Sequence, residues 1–169
     1  MIEQEWQECY DVLVILLIHL ILVIPIMSDD NSKKVLIIED DVDYRDSLSI
    51  FLSGHGLEVT IAEDGAQAME KLLFYLPKLV ILDLMLPKVK GQDVLKRIRE
   101  YPDKNIAGTS VIVLSNLSDP EEIQEVQKLV VDAYLVKSEN NFEEILKVVR
   151  EKLFKGATPP NYEIVDFSK

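Results

Sequence analysis

The chain of 169 residues is poor in the residue types that build disulfides and zinc sites. It has one cysteine, Cys9, and two histidines, His19 and His55. One cysteine excludes an intrachain disulfide, and so few sulfur and imidazole ligands argue against structural zinc. Basic residues are also scarce, since 18 Lys and Arg stand against 30 Asp and Glu, for a formal net charge of −12. This balance argues against direct nucleic-acid binding, which needs a basic surface.

The first 27 residues contain no lysine or arginine and differ from the rest of the chain. Residues 12–27 are apolar except for His19. A helix of that length rises about 24 Å, less than the roughly 30 Å hydrocarbon core of a bilayer. Two interpretations stay open: a short inner-membrane anchor with a cytoplasmic domain after it, or a cytoplasmic protein whose translation starts at Met27. We favour the second. The acidic start does not resemble a secretory signal peptide.

From residue 33 onward, short apolar runs alternate with amphipathic segments. Strands are predicted at 35–38, 57–62, 79–82, 110–114 and 133–136, and helices at 44–53, 64–74, 91–101, 120–130 and 142–154. Continuously apolar strands separated by helices indicate a parallel sheet covered on both faces. We therefore predict one α/β domain at 33–154, a doubly wound (βα)5 sheet in a three-layer α/β/α sandwich. Residues 155–169 are predicted to be a flexible tail.

Polar residues follow four of the predicted strands. Glu39 and Asp40 come after the first strand and Asp83 after the third, while Ser115 and Lys137 end the fourth and fifth. In a flavodoxin-like strand order of 2-1-3-4-5, strands 1 and 3 are neighbours at the switch point, so the acids converge. Carboxylate oxygens suit Mg²⁺, and a carboxylate can accept a phosphoryl group. A lysine and a hydroxyl could stabilise the charge on that group.

These residues together resemble the bacterial two-component response-regulator receiver domain, and the match covers nearly all of 33–154. The resemblance implies that Asp83 is the phospho-acceptor, supplied by a sensor histidine kinase or a phosphotransfer protein. It also implies Mg²⁺ bound by Asp83, by Asp40, by Glu39 through water, and by the backbone carbonyl of Met85. In such proteins the signal passes to a downstream protein, which is unknown here, and the chain would be a monomer or a phosphorylation-dependent dimer.

The resemblance extends to the residues that would read the phosphate. Ser115 matches the switch hydroxyl, Lys137 the lysine that pairs with the phosphoryl group, and Tyr134 the aromatic switch position. The backbone of Asn116 would also contact the phosphate. Its side chain departs from the pattern, because a small residue is usual there and asparagine would crowd the pocket.

The resemblance implies a stand-alone signalling receiver, which catalyses only its own phosphorylation and dephosphorylation. We expect no output domain, because the residues after 155 are too few for one. Two alternatives stay open. One is a phosphorylation-independent interaction module, which Asn116 favours. The other is a phosphatase of the haloacid dehalogenase type, but such enzymes need a second aspartate two residues after the first, and Met85 stands there.

Overall fold

The computed structural model describes residues 31–116, 124, 126 and 128–154. The strands are β1 (Lys34–Ile38), β2 (Glu58–Ala62), β3 (Leu79–Leu82), β4 (Ser110–Ser115) and β5 (Ala133–Val136). The helices are α1 (Val42–Gly54), α2 (Gly65–Tyr75), α3 (Gly91–Arg99), the short α4 (Lys104–Ala107) and α5 (Phe142–Leu153), and a 3₁₀ turn (Asn31–Lys33) precedes β1.

The five strands form one sheet in the order β2-β1-β3-β4-β5, and every neighbouring pair is parallel. Ile38 at the end of β1 is level with Leu82 at the end of β3. The carboxyl ends of these two strands therefore lie side by side, and whatever follows them starts from the same edge. The predicted α/β class and the predicted strand order are confirmed.

Apolar clusters cover both faces of the sheet. On one face Leu36 and Val80 pack with residues of α2 and α3. On the other face Ile37 and Ile81 pack with residues of α1 and α5. Because successive side chains of a strand point to opposite faces, both sets must be apolar, and this explains why the central strands show no polar alternation. The predicted three-layer α/β/α sandwich is confirmed.

Four predicted helices have described ends, and these ends lie within two residues of the predicted ones. Helix α3 ends at Arg99, two residues before the predicted end. The four-residue α4 was not predicted; it starts where the Asp103 side chain accepts a hydrogen bond from the backbone N–H of Asn105. So short a helix carries no hydrophobic period that could reveal it.

Several predictions fall on residues that the structure does not describe. These are the N-terminal extension at 1–27, the tail at 155–169 and most of the helix at 120–130. Within that last segment Gln124 and Val126 are helical, and Val126 is fully buried. Among the described residues, no helix is both long enough and apolar enough to cross a membrane.

Helix α3 begins in close contact with the loop that follows β3. The Gly91 N–H donates to the Leu84 carbonyl at 3.0 Å. A Cβ added to Gly91 would lie 2.2 Å from the Asp83 carbonyl oxygen and 2.6 Å from the Leu84 Cα. These neighbours are backbone atoms, so they cannot move aside as a flexible side chain would. Glycine is therefore required here if the loop that carries Asp83 is to keep its path.

The Gly91→Ala variant should be less stable by about 3 kcal/mol, the upper end of overpacking costs, because the clash is with backbone. Gly54→Ala is the matched control. It lies at the end of α1, and nothing is within 4 Å of the added Cβ. There alanine should be neutral or stabilising by up to about 1 kcal/mol. Urea denaturation followed by circular dichroism measures both. Equal stability of the two variants would contradict the assigned contact.

Candidate functional site

Two buried carboxylates lie at neighbouring strand ends. Asp83 follows β3, and its N–H donates to the Ile38 carbonyl at 2.9 Å; Glu39 follows β1, and its N–H donates to the Ala62 carbonyl at 3.0 Å. Each acid therefore continues the hydrogen bonding of the sheet by one residue. Asp83 is 5% exposed and Glu39 is 3% exposed. The sheet register thus holds two acids close together and away from water.

A lysine from the end of β5 bridges the two carboxylates. Lys137 Nζ lies 2.5 Å from Asp83 Oδ2 and 2.5 Å from Glu39 Oε2. The Lys137 N–H donates to the Ser115 carbonyl at 3.1 Å, which anchors the lysine to the end of β4. A buried cation between two buried anions offsets much of the cost of removing them from water.

The other oxygen of Asp83 is held by two donors. Ser115 Oγ, fully buried, donates to Asp83 Oδ1 at 2.7 Å. The Met85 N–H donates to the same oxygen at 3.0 Å. With Lys137 on Oδ2, both oxygens of Asp83 are engaged and the carboxylate has a fixed orientation. The structure therefore brings Asp83, Ser115 and Lys137 together, as the sequence predicted.

Burial and charge act in opposite directions on these groups. Burial raises the pKa of Glu39, and the negative charge of Asp83 adds to this, while the hydrogen bond from Lys137 lowers it. For Lys137, burial by itself would lower the pKa, but the bonds to Asp83 and Glu39 outweigh burial and raise it. The lysine is therefore held in its charged form at neutral pH, and the two acids depend on it.

Glu39, Asp40 and Asp83 form a cluster of acidic groups. Each has one carboxylate oxygen within 4.8 Å of the others, and Asp40 is exposed whereas the other two are buried. Mg²⁺ prefers oxygen ligands, binds through one or two carboxylates and keeps several waters. A cluster open to solvent on the Asp40 side fits that preference. The ligand role of the Met85 carbonyl stays a prediction; the Met85 side chain is 60% exposed.

Two residues at the start of α1 contact Glu39. The Asp41 side chain caps α1 by accepting from the Tyr44 N–H at 3.1 Å, and the Asp41 N–H donates to Glu39 Oε1 at 3.2 Å. Arg45 is 5% exposed, and its Nη1 donates to the Glu39 carbonyl at 3.4 Å. The burial of Arg45 was not predicted, because an arginine near the start of an amphipathic helix is usually on the surface.

Tyr134 and Asn116 are the remaining predicted residues. Tyr134 is level with Val113 and packs, half-buried, against the apolar cluster on the α2 and α3 face. Asn116 is exposed directly after Ser115. The switch role of Tyr134 and the phosphate contact of the Asn116 backbone stay predictions.

The sequence profile of the response regulator receiver domain matches residues 35–150. The chain therefore belongs to the response regulator receiver domain family. This family is a signalling module of two-component systems, and its members bind Mg²⁺ at an acidic pocket. They work with histidine kinases or phosphotransfer proteins.

Curated relatives agree with this assignment. The chain is 35% identical over 107 residues to a probable transcriptional regulator, ycf27, of Cyanophora paradoxa, covering 63% of this chain and 43% of that protein. It is 28% identical over 132 residues to the DNA-binding response regulator MtrA of Mycobacterium tuberculosis, covering 78% and 55%. It is 30% identical over 117 residues to the Regulator of RpoS of Escherichia coli, covering 69% and 34%. The chain thus spans about half or less of the length of these relatives.

Solved structures share the fold. A CheY-like receiver domain protein from Methanospirillum hungatei has a TM-score of 0.66 at 26% identity, covering 73% of this chain and 94% of that one. The chemotaxis response regulator CheY4 of Vibrio cholerae has a TM-score of 0.64 at 28% identity, covering 70% and 97%. These neighbours are matched over almost their whole length, so the similarity extends over nearly all of each neighbour.

Replacing Lys137 by methionine should destabilise the fold by about 3 kcal/mol, because Glu39 and Asp83 would keep buried charges without a cation. The loss should be larger at pH 8 than at pH 5. The pKa of Glu39 is already raised by burial, so falling pH neutralises the unpaired charge and relieves the cost. Urea denaturation at the two pH values, without divalent metal, measures this.

Lys78→Met is the matched control for that experiment. Lys78 is exposed and directly precedes β3, so it lies at the amino ends of the strands, away from the site. The stability of this variant should differ from that of the natural protein by no more than about 0.5 kcal/mol at either pH. If Lys137→Met behaved like this control, the lysine would not be compensating the two acids.

Proposed function

We propose that this chain is a phosphorelay receiver that accepts a phosphoryl group on Asp83. One observation carries the proposal: both oxygens of a buried aspartate are engaged, Oδ1 by Ser115 and Oδ2 by Lys137, beside the acidic cluster with Glu39 and Asp40. A carboxylate on the protein surface is usually solvated by water and not bonded on both oxygens by protein donors. An aspartate about to carry a phosphoryl group needs this arrangement of cations and donors around it.

The chemistry follows from these contacts. An Asp83 oxygen attacks the phosphorus of a phosphohistidine, the P–N bond breaks, and the imidazole leaves with its electron pair while an acyl phosphate forms on Asp83. Lys137 and Ser115 are placed to donate to the oxygens of the transferred group. Mg²⁺ held by Glu39, Asp40 and Asp83 would supply further positive charge and draw the phosphoryl group towards the acids. Asp83 must give up its present bonds to Lys137 and Ser115 for this.

The output of the proposed reaction is a change of surface. When Ser115 follows the phosphoryl group, the end of β4 shifts, and Tyr134 on β5 moves inward beside it. Such a local change biases a two-state element and exposes or hides a face for a partner protein. On this proposal the chain modifies only itself and is not an enzyme acting on other substrates. A histidine kinase or phosphotransfer protein supplies the phosphate, and the downstream partner is a protein.

One of the two alternative functions is supported by an observation. A phosphorylation-independent interaction module would use the same fold without the chemistry, and the asparagine at position 116, beside Ser115, favours it. A phosphatase of the haloacid dehalogenase type has no such support, because Met85 provides no carboxylate two residues after Asp83. The complete contacts of Asp83 favour the phosphorylated receiver over both.

Incubation with acetyl phosphate and Mg²⁺ tests the proposal. Intact-protein mass spectrometry should show the addition of one phosphoryl group, stable in acid and labile in base. Asp83→Asn should abolish the addition. Asp40→Asn, or removal of Mg²⁺ with a chelator, should slow it about 100-fold, because a bound metal contributes several kcal/mol of charge stabilisation.

The control for the labelling is Asp93→Asn, an exposed aspartate on α3, which should label like the natural protein. Absence of labelling in the natural protein, with Mg²⁺ binding intact by calorimetry, would favour the phosphorylation-independent module. Labelling that persists in Asp83→Asn would place the phosphate on another residue.

A further inference from the structure

Lys137 contacts an aromatic ring as well as two carboxylates. Its Nζ lies 4.9 Å from the centroid of the Tyr44 ring. Glu39 and Asp83 each take one of its three N–H donors. A cation near the face of a ring is attracted by the ring's quadrupole, and the attraction grows when water is excluded. The Lys137 side chain is only 9% exposed, so the Tyr44 ring is an effective third partner of the ammonium.

The Tyr44 ring is itself held in place by other aromatic side chains. Phe142 on α5 meets it at 5.6 Å with an interplanar angle of 81°, the edge-to-face arrangement that aromatic pairs favour. Phe51, two turns further along α1, contacts Phe142 at 5.6 Å. The ring is therefore wedged between α1 and α5, and it can turn away from Lys137 only by disturbing that contact.

The hydroxyl of Tyr44 does not explain why a tyrosine stands here. Its oxygen is buried and has no hydrogen-bond partner within the part of the chain that the structure describes. A buried hydroxyl without a partner costs stability instead of adding to it. The feature that the structure uses is the ring, so phenylalanine should serve at this position as well as tyrosine does.

We propose that Tyr44 is a positioning residue, whose ring holds the Lys137 ammonium at Asp83 during phosphoryl transfer. This inference rests on the proposed function. When Asp83 becomes phosphorylated, Lys137 must release Asp83 Oδ2 and bind a phosphoryl oxygen. Glu39 and the Tyr44 ring take no part in the bond changes, so both keep their contacts with the Lys137 ammonium while it moves from Asp83 to the phosphoryl oxygen. Without the ring, the lysine keeps Glu39 alone and is less well placed at the start of the reaction.

Two variants separate the ring from the hydroxyl. Tyr44→Leu removes the ring and should slow acetyl phosphate labelling about 3- to 30-fold, the range that a partly desolvated cation–π contact implies. Tyr44→Phe keeps the ring and should label within about twofold of the natural protein. The second measurement is NMR of the Lys137 ε-methylene protons, whose ring-current shift should persist in Tyr44→Phe and disappear in Tyr44→Leu.

Tyr75→Leu is the matched control, because Tyr75 also has a lysine over its ring, Lys34 at 5.5 Å. Lys34 is the first residue of β1, so this pair lies at the amino ends of the strands. Tyr75→Leu should label at the natural rate. Natural-rate labelling by Tyr44→Leu would overturn the proposal, and so would equal slowing in Tyr44→Phe. If the natural protein is not labelled at all, the proposed function fails. The NMR shift then decides by itself whether the ring holds the lysine, since it needs no phosphate.

Discussion

The contact of Lys137 with Glu39 and Asp83 is the interaction on which the site depends. Two carboxylates with less than a tenth of their surface in water would repel one another if nothing balanced them, and burial already raises the pKa of Glu39. One ammonium at 2.5 Å from both supplies that balance. The carboxylates can therefore stay both buried and charged. The site is ready for a further cation, because Asp40 adds an exposed third carboxylate beside the buried two.

Backbone geometry puts these charges where they are. The three residues come from the ends of β1, β3 and β5, and each is fixed by a hydrogen bond that continues the sheet beyond its strand. Charge attraction would not give such positions by itself, because it falls off slowly with distance and has little directional preference. A parallel sheet buried on both faces does, since sliding one strand by a residue would move every side chain to the opposite face and disrupt the packing of both apolar clusters. The start of α3 at Gly91 packs directly against the backbone of Asp83 and Leu84 and so fixes the path of the loop after β3.

The carboxyl ends of the strands also connect the site to the helices on both faces of the sheet. Ser115 belongs to β4 and bonds Asp83, while Tyr134 on the neighbouring β5 packs against the cluster on the α2 and α3 face. The strand that bonds Asp83 is therefore the direct neighbour of the strand that carries the half-buried Tyr134. On the other face, Lys137 touches Tyr44 and through it the aromatic contact between α1 and α5. Both layers of helices thus adjoin the site directly.

The five parallel strands and the polar residues at their carboxyl ends could be predicted from the amino-acid pattern, and the strand order followed from the flavodoxin-like arrangement expected for that pattern. Apolar runs spaced by amphipathic segments are a local signal, and polar residues at the ends of such runs must meet at one edge whatever the details of packing. Other features depend on contacts between distant parts of the chain and could not be predicted from local patterns. Arg45 and Tyr44 lie on α1 with nothing in their spacing to set them apart, and the four residues of α4 have no period. Their positions depend on neighbours that come from distant parts of the chain. The need for glycine at position 91 likewise follows from the nearness of the Asp83 backbone, which exists only after the fold has formed.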